Sequence, residues 1–167
     1  MTCCCGDYGL EAESGRLLVE QCLSLGLAES CTGGMIASRI TRVSGSSVYF
    51  AGGVVAYDNR VKEGVLGVPA GELAAYGAVS REVALSMAGG AKRVLQTDIG
   101  LAVTGIAGPG GGTPEKPVGL VYIALEGPGG ALSKELRLGG DRREIRETAC
   151  RAALELLCSY LAVSRKL

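Results

Sequence analysis

The stretch IGLAVTGIAGPGGGTPEKPVGLVYI, residues 99–123, decides the fold because it places a glycine-rich loop between two apolar, β-branched runs. Residues 99–103 and 118–124 are typical of strands buried on both faces of a sheet. The loop between them contains five glycines and the prolines Pro109 and Pro114, which exclude a helix. Unobstructed backbone N–H groups at the end of a buried strand suit a phosphate or a developing oxyanion. A plain connection that uses glycine only to turn is the alternative.

Helical and strand patterns alternate on both sides of this stretch. Helices are predicted over residues 10–25, 35–43, 60–66, 69–76, 81–95 and 141–160. Strands are predicted at 27–28, 48–57, 99–103, 118–126 and 131–138, and the last two form a hairpin. We therefore expect an α/β fold, a single domain over residues 10–167 with a mixed sheet, after a variable N-terminal extension at residues 1–9.

Composition excludes several classes of function. The formal net charge is zero, from 17 basic and 17 acidic residues, and the chain has one Phe and no Trp. Neither a nucleic-acid partner nor a membrane surface is expected from such a balance. The chain also contains no histidine, which removes Ser-His-Asp catalysis and every histidine-containing metal site. Acid–base chemistry must therefore come from Lys, Tyr, Asp, Glu or Cys.

The seven cysteines indicate a reducing, cytoplasmic compartment. Their number is odd, three are consecutive at residues 3–5, and no CxxC pair occurs, so neither disulfides nor a metal site are expected. Cys22, Cys150 and Cys158 are interpreted as small core residues on helices.

Two groups of polar residues are candidates for chemistry. Ser30, Thr32, Gly33 and Gly34 form a turn between a strand and a helix, which predicts either an anion site at the helix start or an ordinary N-cap. The second group surrounds the strand at 48–57: Ser46 and Ser47 precede it, Tyr57 ends it and Lys62 follows. In a chain that lacks histidine, a serine and a neutral lysine can form a nucleophile–base pair. These serines and Lys62 can meet only if the strand folds back at Gly52-Gly53.

The ordered motifs AESCTGG (28–34), GSS (45–47), GGVVAYDNRVK (52–62), GAVS (77–80), TGIAGPGGGTPEKPVG (104–119) and GDRREIR (140–146) resemble the CinA C-terminal domain family. The resemblance covers residues 17–157. It implies a three-layer α/β/α fold and, because the family's stand-alone members are bacterial nicotinamide mononucleotide (NMN) amidases, hydrolysis of NMN to nicotinic acid mononucleotide and ammonia in pyridine nucleotide recycling. The resemblance implies that the reaction needs neither a metal nor an organic cofactor. It also implies that the chain forms a homo-oligomer. With no domain before these motifs, a stand-alone amidase is expected.

The resemblance also implies roles for individual residues. Ser47 and Lys62 correspond to the family's Ser–Lys pair, and Ser47 is predicted to attack the carboxamide while Lys62 accepts its proton. Ser30 is the competing nucleophile. The other implied site residues are Tyr57 and Thr104 for catalysis, and Thr32, Gly33, Gly34, Ser46, Asn59, Gly105, Gly108, Arg142 and Arg143 for substrate binding.

Two further expectations accompany these roles. Asp58 stands where the family usually has a small polar residue, and its carboxylate would work against a neutral Lys62.

The alternative function, from another class, is a non-catalytic nucleotide-binding regulatory domain linked to competence or damage responses.

Overall fold

The sheet is built outward from β3 (Ile99–Gly105) in the computed structural model, which describes residues 9–164. The strand order is β2-β1-β3-β4-β5, where β1 is Leu25–Glu29, β2 is Phe50–Val55, β4 is Leu120–Gly127 and β5 is Gly130–Arg137. The strands β2, β1 and β3 run parallel to one another. β4 pairs antiparallel with β3, and β5 pairs antiparallel with β4. The mixed sheet and its final hairpin are therefore confirmed.

Helices cover both faces of this sheet. One face carries α1 (Gly9–Glu20), α2 (Met35–Thr41) and α6 (Arg142–Ser164), and the other carries α3 (Asn59–Gly64), α4 (Ala70–Tyr76) and α5 (Arg81–Leu95). Alternate strand residues supply the two cores: Leu27 and Leu101 join the first, and Ala28 and Ala102 join the second. The α/β/α layering is therefore confirmed.

The small strand residues let α5 approach the sheet closely. A Cβ atom at Gly100 would lie 2.0 Å from the backbone oxygen of Ala88 in α5, so only glycine fits there. Large side chains fill the opposite face, where α6 packs Ile145, Leu154 and Leu157 into the core.

Most predicted elements are confirmed, but two boundaries are wrong. The first helix ends at Glu20, because Leu25 and Gly26 pair with β3 instead of extending the helix. The residues before Phe50 form a short 3₁₀ helix, Ser46–Val48, instead of the start of β2. β2 contains a bulge directly before Gly52-Gly53: its register with β1 shifts so that Ala51 has no partner.

Candidate functional site

A cavity of about 280 Å³ opens at the carboxyl ends of β1 and β3, beyond the end of β2. Ligands of open α/β sheets bind at this edge, since loops and helix starts converge there. The cavity is lined by Ser30, Cys31, Tyr57, Asn59, Lys62, Ala78, Val79, Thr104, Gly105, Ile106, Ala107, Gly108, Gly110, Gly111 and Arg142. It thus brings together eight of the residues named from the sequence, including Ser30, Tyr57, Lys62 and Thr104.

Ser30 directly follows β1 and is held by its backbone. Its N–H donates to the carbonyl of Val103 at 2.9 Å, and its carbonyl accepts from the N–H of Gly33 at 3.1 Å. The residue is only 8% exposed, yet within residues 9–164 its hydroxyl makes no hydrogen bond. The hydroxyl is therefore available to a base or a substrate in the cavity.

Glu29, one residue earlier, occupies the helix start that the sequence indicated as an anion site. Its buried carboxylate accepts N–H bonds from Gly34 at 3.0 Å, Ile36 at 3.1 Å and Ala37 at 2.9 Å. The helix start is therefore neither an open anion site nor an N-cap by Ser30 or Thr32, because the internal carboxylate of Glu29 already satisfies donors of α2 and the N-cap, Gly34, has no side-chain bond. Nor do Thr32, Gly33 and Gly34 line the cavity.

Lys62 is buried on α3, 1% exposed, which is unusual for a lysine. Its Nζ donates to the carbonyl of Ala56 at 2.8 Å and to that of Tyr57 at 3.4 Å. Burial lowers the pKa of Lys62, and the carboxylate of Asp58 opposes this shift to a smaller extent. The expected influence of Asp58 is present, but desolvation outweighs it, partly because Asp58 caps α3 and pairs with Arg60.

Ser47 and Lys62 lie at opposite ends of β2. It is an exposed residue of the 3₁₀ helix that precedes β2, whereas Lys62 follows the end of that strand. The bulge at Ala51 does not fold β2 back, since pairing with β1 resumes at Gly52 and continues to Val55. Six strand residues separate the two ends by roughly 20 Å. The predicted Ser47–Lys62 pair is therefore not formed within one chain, and Ser46 is equally far from the cavity.

The glycine-rich loop after β3 contributes backbone donors. Thr104 and Gly105 lie opposite Tyr122 and Val121 in the ladder with β4, and the Thr104 hydroxyl donates to the carbonyl of Ala78 at 2.8 Å. Across the part of the chain that the structure describes, the N–H groups of Ala107, Gly108, Gly110 and Gly111 have no acceptor. The predicted N–H cradle therefore begins two residues later than Gly105.

Three arginines lie on the first turns of α6, and Arg142 is the one that lines the cavity. Arg142 donates to the carbonyl of Gly108 at 2.7 Å and to the Tyr57 hydroxyl at 3.0 Å. Arg146 donates to the carbonyls of Cys31 at 3.0 Å and Thr32 at 2.8 Å, so it holds the Ser30 turn. Arg143 lines a shallow groove beside the cavity, shared with Pro109, Asp141, Arg142 and Arg146. Cationic side chains therefore border a cavity that contains a lysine and a serine.

The cysteines of the described region are free thiols. Cys150 is buried and Cys158 partly buried on α6, as predicted, but Cys22 is exposed in the turn after α1. Cys31 lines the cavity, and burial raises its pKa to about 11, so it remains a thiol at neutral pH. No group of three or more His, Cys, Asp or Glu side chains suited to a metal occurs between residues 9 and 164. The cysteines at 3–5 lie outside the described residues.

Sequence reasoning missed Glu29, Cys31, Ala107 and Arg146. One pattern was available for the last of these: Arg142 and Arg146 are four residues apart in a helix and therefore share a face. Glu29 directly precedes a turn whose helix start has no serine or threonine side-chain cap, but nothing in its spacing indicates that it would fold over the turn.

Comparison with known proteins places this architecture in one family. A family model of the CinA C-terminal domain matches residues 7–161. A CinA-like protein of Citrifermentans bemidjiense is 54% identical over 145 residues, which cover 87% of this chain and 35% of that protein. A CinA-like protein of Geobacter sulfurreducens is 52% identical over 152 residues, or 91% of this chain and 37% of that protein. The chain thus spans a little over a third of the length of these curated relatives.

Solved structures agree over nearly the whole chain. The competence/damage inducible protein CihA from Agrobacterium tumefaciens superposes with a TM-score of 0.86 at 44% identity, covering 95% of this chain and 98% of that chain. The competence damage-inducible protein A from Klebsiella pneumoniae superposes with a TM-score of 0.89 at 35% identity, covering 93% and 96%. The chain belongs to the CinA C-terminal domain family.

Proposed function

We propose that this chain hydrolyses the carboxamide of NMN, giving nicotinic acid mononucleotide and ammonia in pyridine nucleotide recycling. The observation that carries the proposal is the placement of Ser30 and the buried Lys62 in the wall of one cavity. The chain has no histidine, and a lysine with a lowered pKa can instead serve as the base that activates a serine.

Ser30 replaces Ser47 as the proposed nucleophile. Neutral Lys62 accepts the Ser30 proton as the hydroxyl attacks the carboxamide carbon, and then delivers it to the departing ammonia. The free N–H groups of Ala107 and Gly108 stabilise the oxyanion. Water then hydrolyses the acyl-enzyme with Lys62 again as base, and the mechanism uses no metal or organic cofactor.

The phosphate of NMN is assigned to the arginines at the start of α6. The side chain of Arg143 has no hydrogen bond or ion pair within the described residues and lines the groove beside the cavity. Arg142 borders both the groove and the cavity, which suits a substrate with an amide at one end and an anion at the other. Tyr57 and Asn59 complete the rim.

The direct test measures ammonia release from NMN by the purified protein. We expect turnover by the unmodified chain and none by Lys62→Met, while Lys134→Met, which alters an exposed lysine of β5, retains full activity. Loss of activity in both lysine variants, or in neither, would contradict the role of Lys62.

A non-catalytic nucleotide-binding domain is the second candidate, because the names of the similar solved proteins describe competence and damage responses and no reaction. Calorimetric binding of NMN without ammonia release would favour it. None of the helices between residues 9 and 164 combines the length and the apolar character that a membrane span requires.

A further inference from the structure

The glycine-rich loop between β3 and β4, residues 106–119, consists of two limbs that pack against each other. Its base is closed by the N–H of Gly119, which donates to the carbonyl of Ile106 at 2.8 Å. The limbs are in contact higher up, because a Cβ atom at Gly108 would lie 2.6 Å from the side chain of Val118. The position of this loop over the candidate site therefore depends on the groups that tie it to neighbouring elements.

The tip of the loop is a tight turn that ends in a lysine. The N–H of Thr113 donates to the carbonyl of Lys116 at 2.8 Å, and the N–H of Lys116 donates to the Thr113 hydroxyl at 3.0 Å. These two bonds fix the backbone from which the Lys116 side chain extends.

The ammonium group of Lys116 reaches the turn between α4 and α5. Its Nζ donates to the carbonyl of Val79 at 2.7 Å and to the carbonyl of Tyr76, the last residue of α4. The last carbonyls of a helix have no partner within the helix, and a lysine side chain can satisfy them. No carboxylate among residues 9–164 forms an ion pair with Lys116. Its ammonium is therefore bonded to the backbone of this turn and to no acidic side chain there.

This turn is itself a wall of the candidate site. Ala78 and Val79 line the cavity, and the Thr104 hydroxyl donates to the carbonyl of Ala78 at 2.8 Å. The first limb of the loop lines the same cavity with the N–H groups assigned to the oxyanion. Thr104 thus ties the turn to the end of β3, and Lys116 ties it to the tip of the loop.

We propose that Lys116 is a positioning residue of the candidate site, a role that rests on the proposed amidase function. By joining the glycine-rich loop to the α4–α5 turn, it fixes the N–H donors of the loop relative to Ser30 and Lys62. These two residues are carried by other elements, β1 and α3, so the loop must be held against them from outside.

Lys116 acts from outside the reaction cavity. It lines a second cavity of about 620 Å³, and the two cavities have Val79 as their shared wall. On the other side of the loop, Arg142 of α6 donates to the carbonyl of Gly108 at 2.7 Å. Loss of Lys116 therefore frees one side of the loop and leaves the other attached.

Displaced loop donors should affect the transition state more than the bound substrate. The oxyanion forms only as the carboxamide is attacked, so its donors lower the barrier without strengthening ground-state binding. The arginines assigned to the phosphate lie on α6, whereas Lys116 is bonded to the α4–α5 turn. Loss of Lys116 should therefore lower kcat and leave the KM for NMN nearly unchanged.

The kinetic test uses Lys116→Met, which keeps most of the side-chain length and removes the N–H donors. We expect kcat for ammonia release from NMN to fall by about 10- to 100-fold, and KM to change by less than about threefold. The matched control, Glu115→Gln, alters the neighbouring exposed residue of the loop tip and should keep both parameters. An unchanged kcat in Lys116→Met, or a loss expressed mainly in KM, would overturn the proposal.

The conservative variant separates the two carbonyl bonds from the bulk of the side chain. Lys116→Arg retains a cation that can donate to the carbonyls of Tyr76 and Val79, so its kcat should exceed that of Lys116→Met by about tenfold. A merely space-filling role predicts the opposite order, because methionine is closer in shape to lysine. Equal losses in the two variants would therefore overturn the role of the bonds.

The attachment itself is tested without an assay of activity. In Lys116→Met, amide hydrogen exchange should become faster at Gly77, whose N–H donates to the carbonyl of Leu73 at 3.0 Å, and at Thr113 in the loop tip. Exchange along β5 should not change. Unchanged exchange at both Gly77 and Thr113 would show that Lys116 does not hold the loop to the turn.

The two proposals fail separately. If the unmodified chain releases no ammonia from NMN, the amidase function is wrong, and hydrogen exchange still decides whether Lys116 joins the loop to the turn. If the unmodified chain is active and Lys116→Met retains its kcat, the amidase function stands and the positioning role is rejected.

Discussion

The Ser30 turn and the Ser47 turn look alike in sequence, since each combines serine with glycine next to a strand. The fold treats them differently. Ser30 follows β1 and lies at the carboxyl edge of the parallel strands, whereas Ser47 precedes β2 and lies at the amino edge. The first turn is buried and anchored by Glu29 and Arg146, and the second is exposed.

This difference shows that the position of a serine relative to the strand direction decides its chemistry. At the carboxyl edge of the sheet, Ser30 lies with the end of β3 and the helix after β2, and those elements supply Thr104 and Lys62. At the amino edge, Ser47 meets none of them within its own chain. Distance along the sequence is misleading here, because Ser47 is closer to Lys62 in number than Ser30 is.

Substitution of the two serines should produce the largest difference in activity between the two turns. Ser30→Ala should reduce turnover of NMN by about three orders of magnitude or more, because loss of a nucleophile removes the covalent route. Ser47→Ala keeps a small side chain at an exposed position and should change kcat by a small factor. The measurement is steady-state ammonia release, with folding checked by thermal unfolding. A dead Ser47→Ala beside an active Ser30→Ala would reverse the assignment.

The pH dependence of Lys62 provides a second effect. Because burial lowers its pKa below the ordinary lysine value of about 10.5, kcat/KM should rise with pH and level off below that value. The folded chain binds this proton less tightly than the unfolded chain, so stability also rises with pH between the two pKa values. Lys62→Met removes that dependence, and urea unfolding at several pH values measures it. Equal pH slopes for Lys62→Met and the unmodified chain would show that Lys62 is not a perturbed base.

The arginines of α6 should give an intermediate effect. Arg143→Ala removes a cation whose side chain has no partner in the described structure. It should weaken the binding of NMN by about 10- to 100-fold, which is the size of one charge-assisted contact. The dephosphorylated riboside should be unaffected. Arg142→Ala should weaken the binding of both NMN and the riboside, because the bonds of Arg142 to Gly108 and Tyr57 also shape the cavity. Equal losses for the two ligands in Arg143→Ala would remove its phosphate role. Calorimetric titration distinguishes these outcomes.

The fold could be predicted from the sequence because its strands are long apolar runs and its helices have caps and stops. Ser80 caps α5 through a bond from Val83, and Asp141 caps α6 through a bond from Glu144, as their spacing indicates. The predicted end of α1 was wrong because strand pairing with β3 overrides the local helical pattern at Leu25.

The site was predicted only in part. Tyr57, Lys62, Thr104 and Arg142 lie on the cavity, as the motifs indicated, but their partners depend on the direction of β2. Whether Gly52-Gly53 would bend the strand or merely bulge it is decided by pairing with β1, which local sequence does not contain. The prediction of an anion site was wrong for a similar reason, since a carboxylate next to a helix start can itself accept from the free N–H groups of that helix.

The smallest expected effect concerns the anchoring of the Ser30 turn. Glu29→Gln keeps the shape of the side chain but removes the charge and one of the two oxygens that accept from Gly34, Ile36 and Ala37. Since hydrogen bonds to charged groups contribute about 1.5–3 kcal/mol, the free energy of unfolding should fall by roughly that amount. Ser46→Ala in the exposed turn removes no such bond and should leave the unfolding free energy unchanged. Because Glu29 acts on the turn and touches no substrate, Glu29→Gln should lower kcat more than it raises the KM for NMN. Urea unfolding and initial rates measure both effects, and a stability equal to that of the unmodified chain would mean that the carboxylate does not anchor the turn.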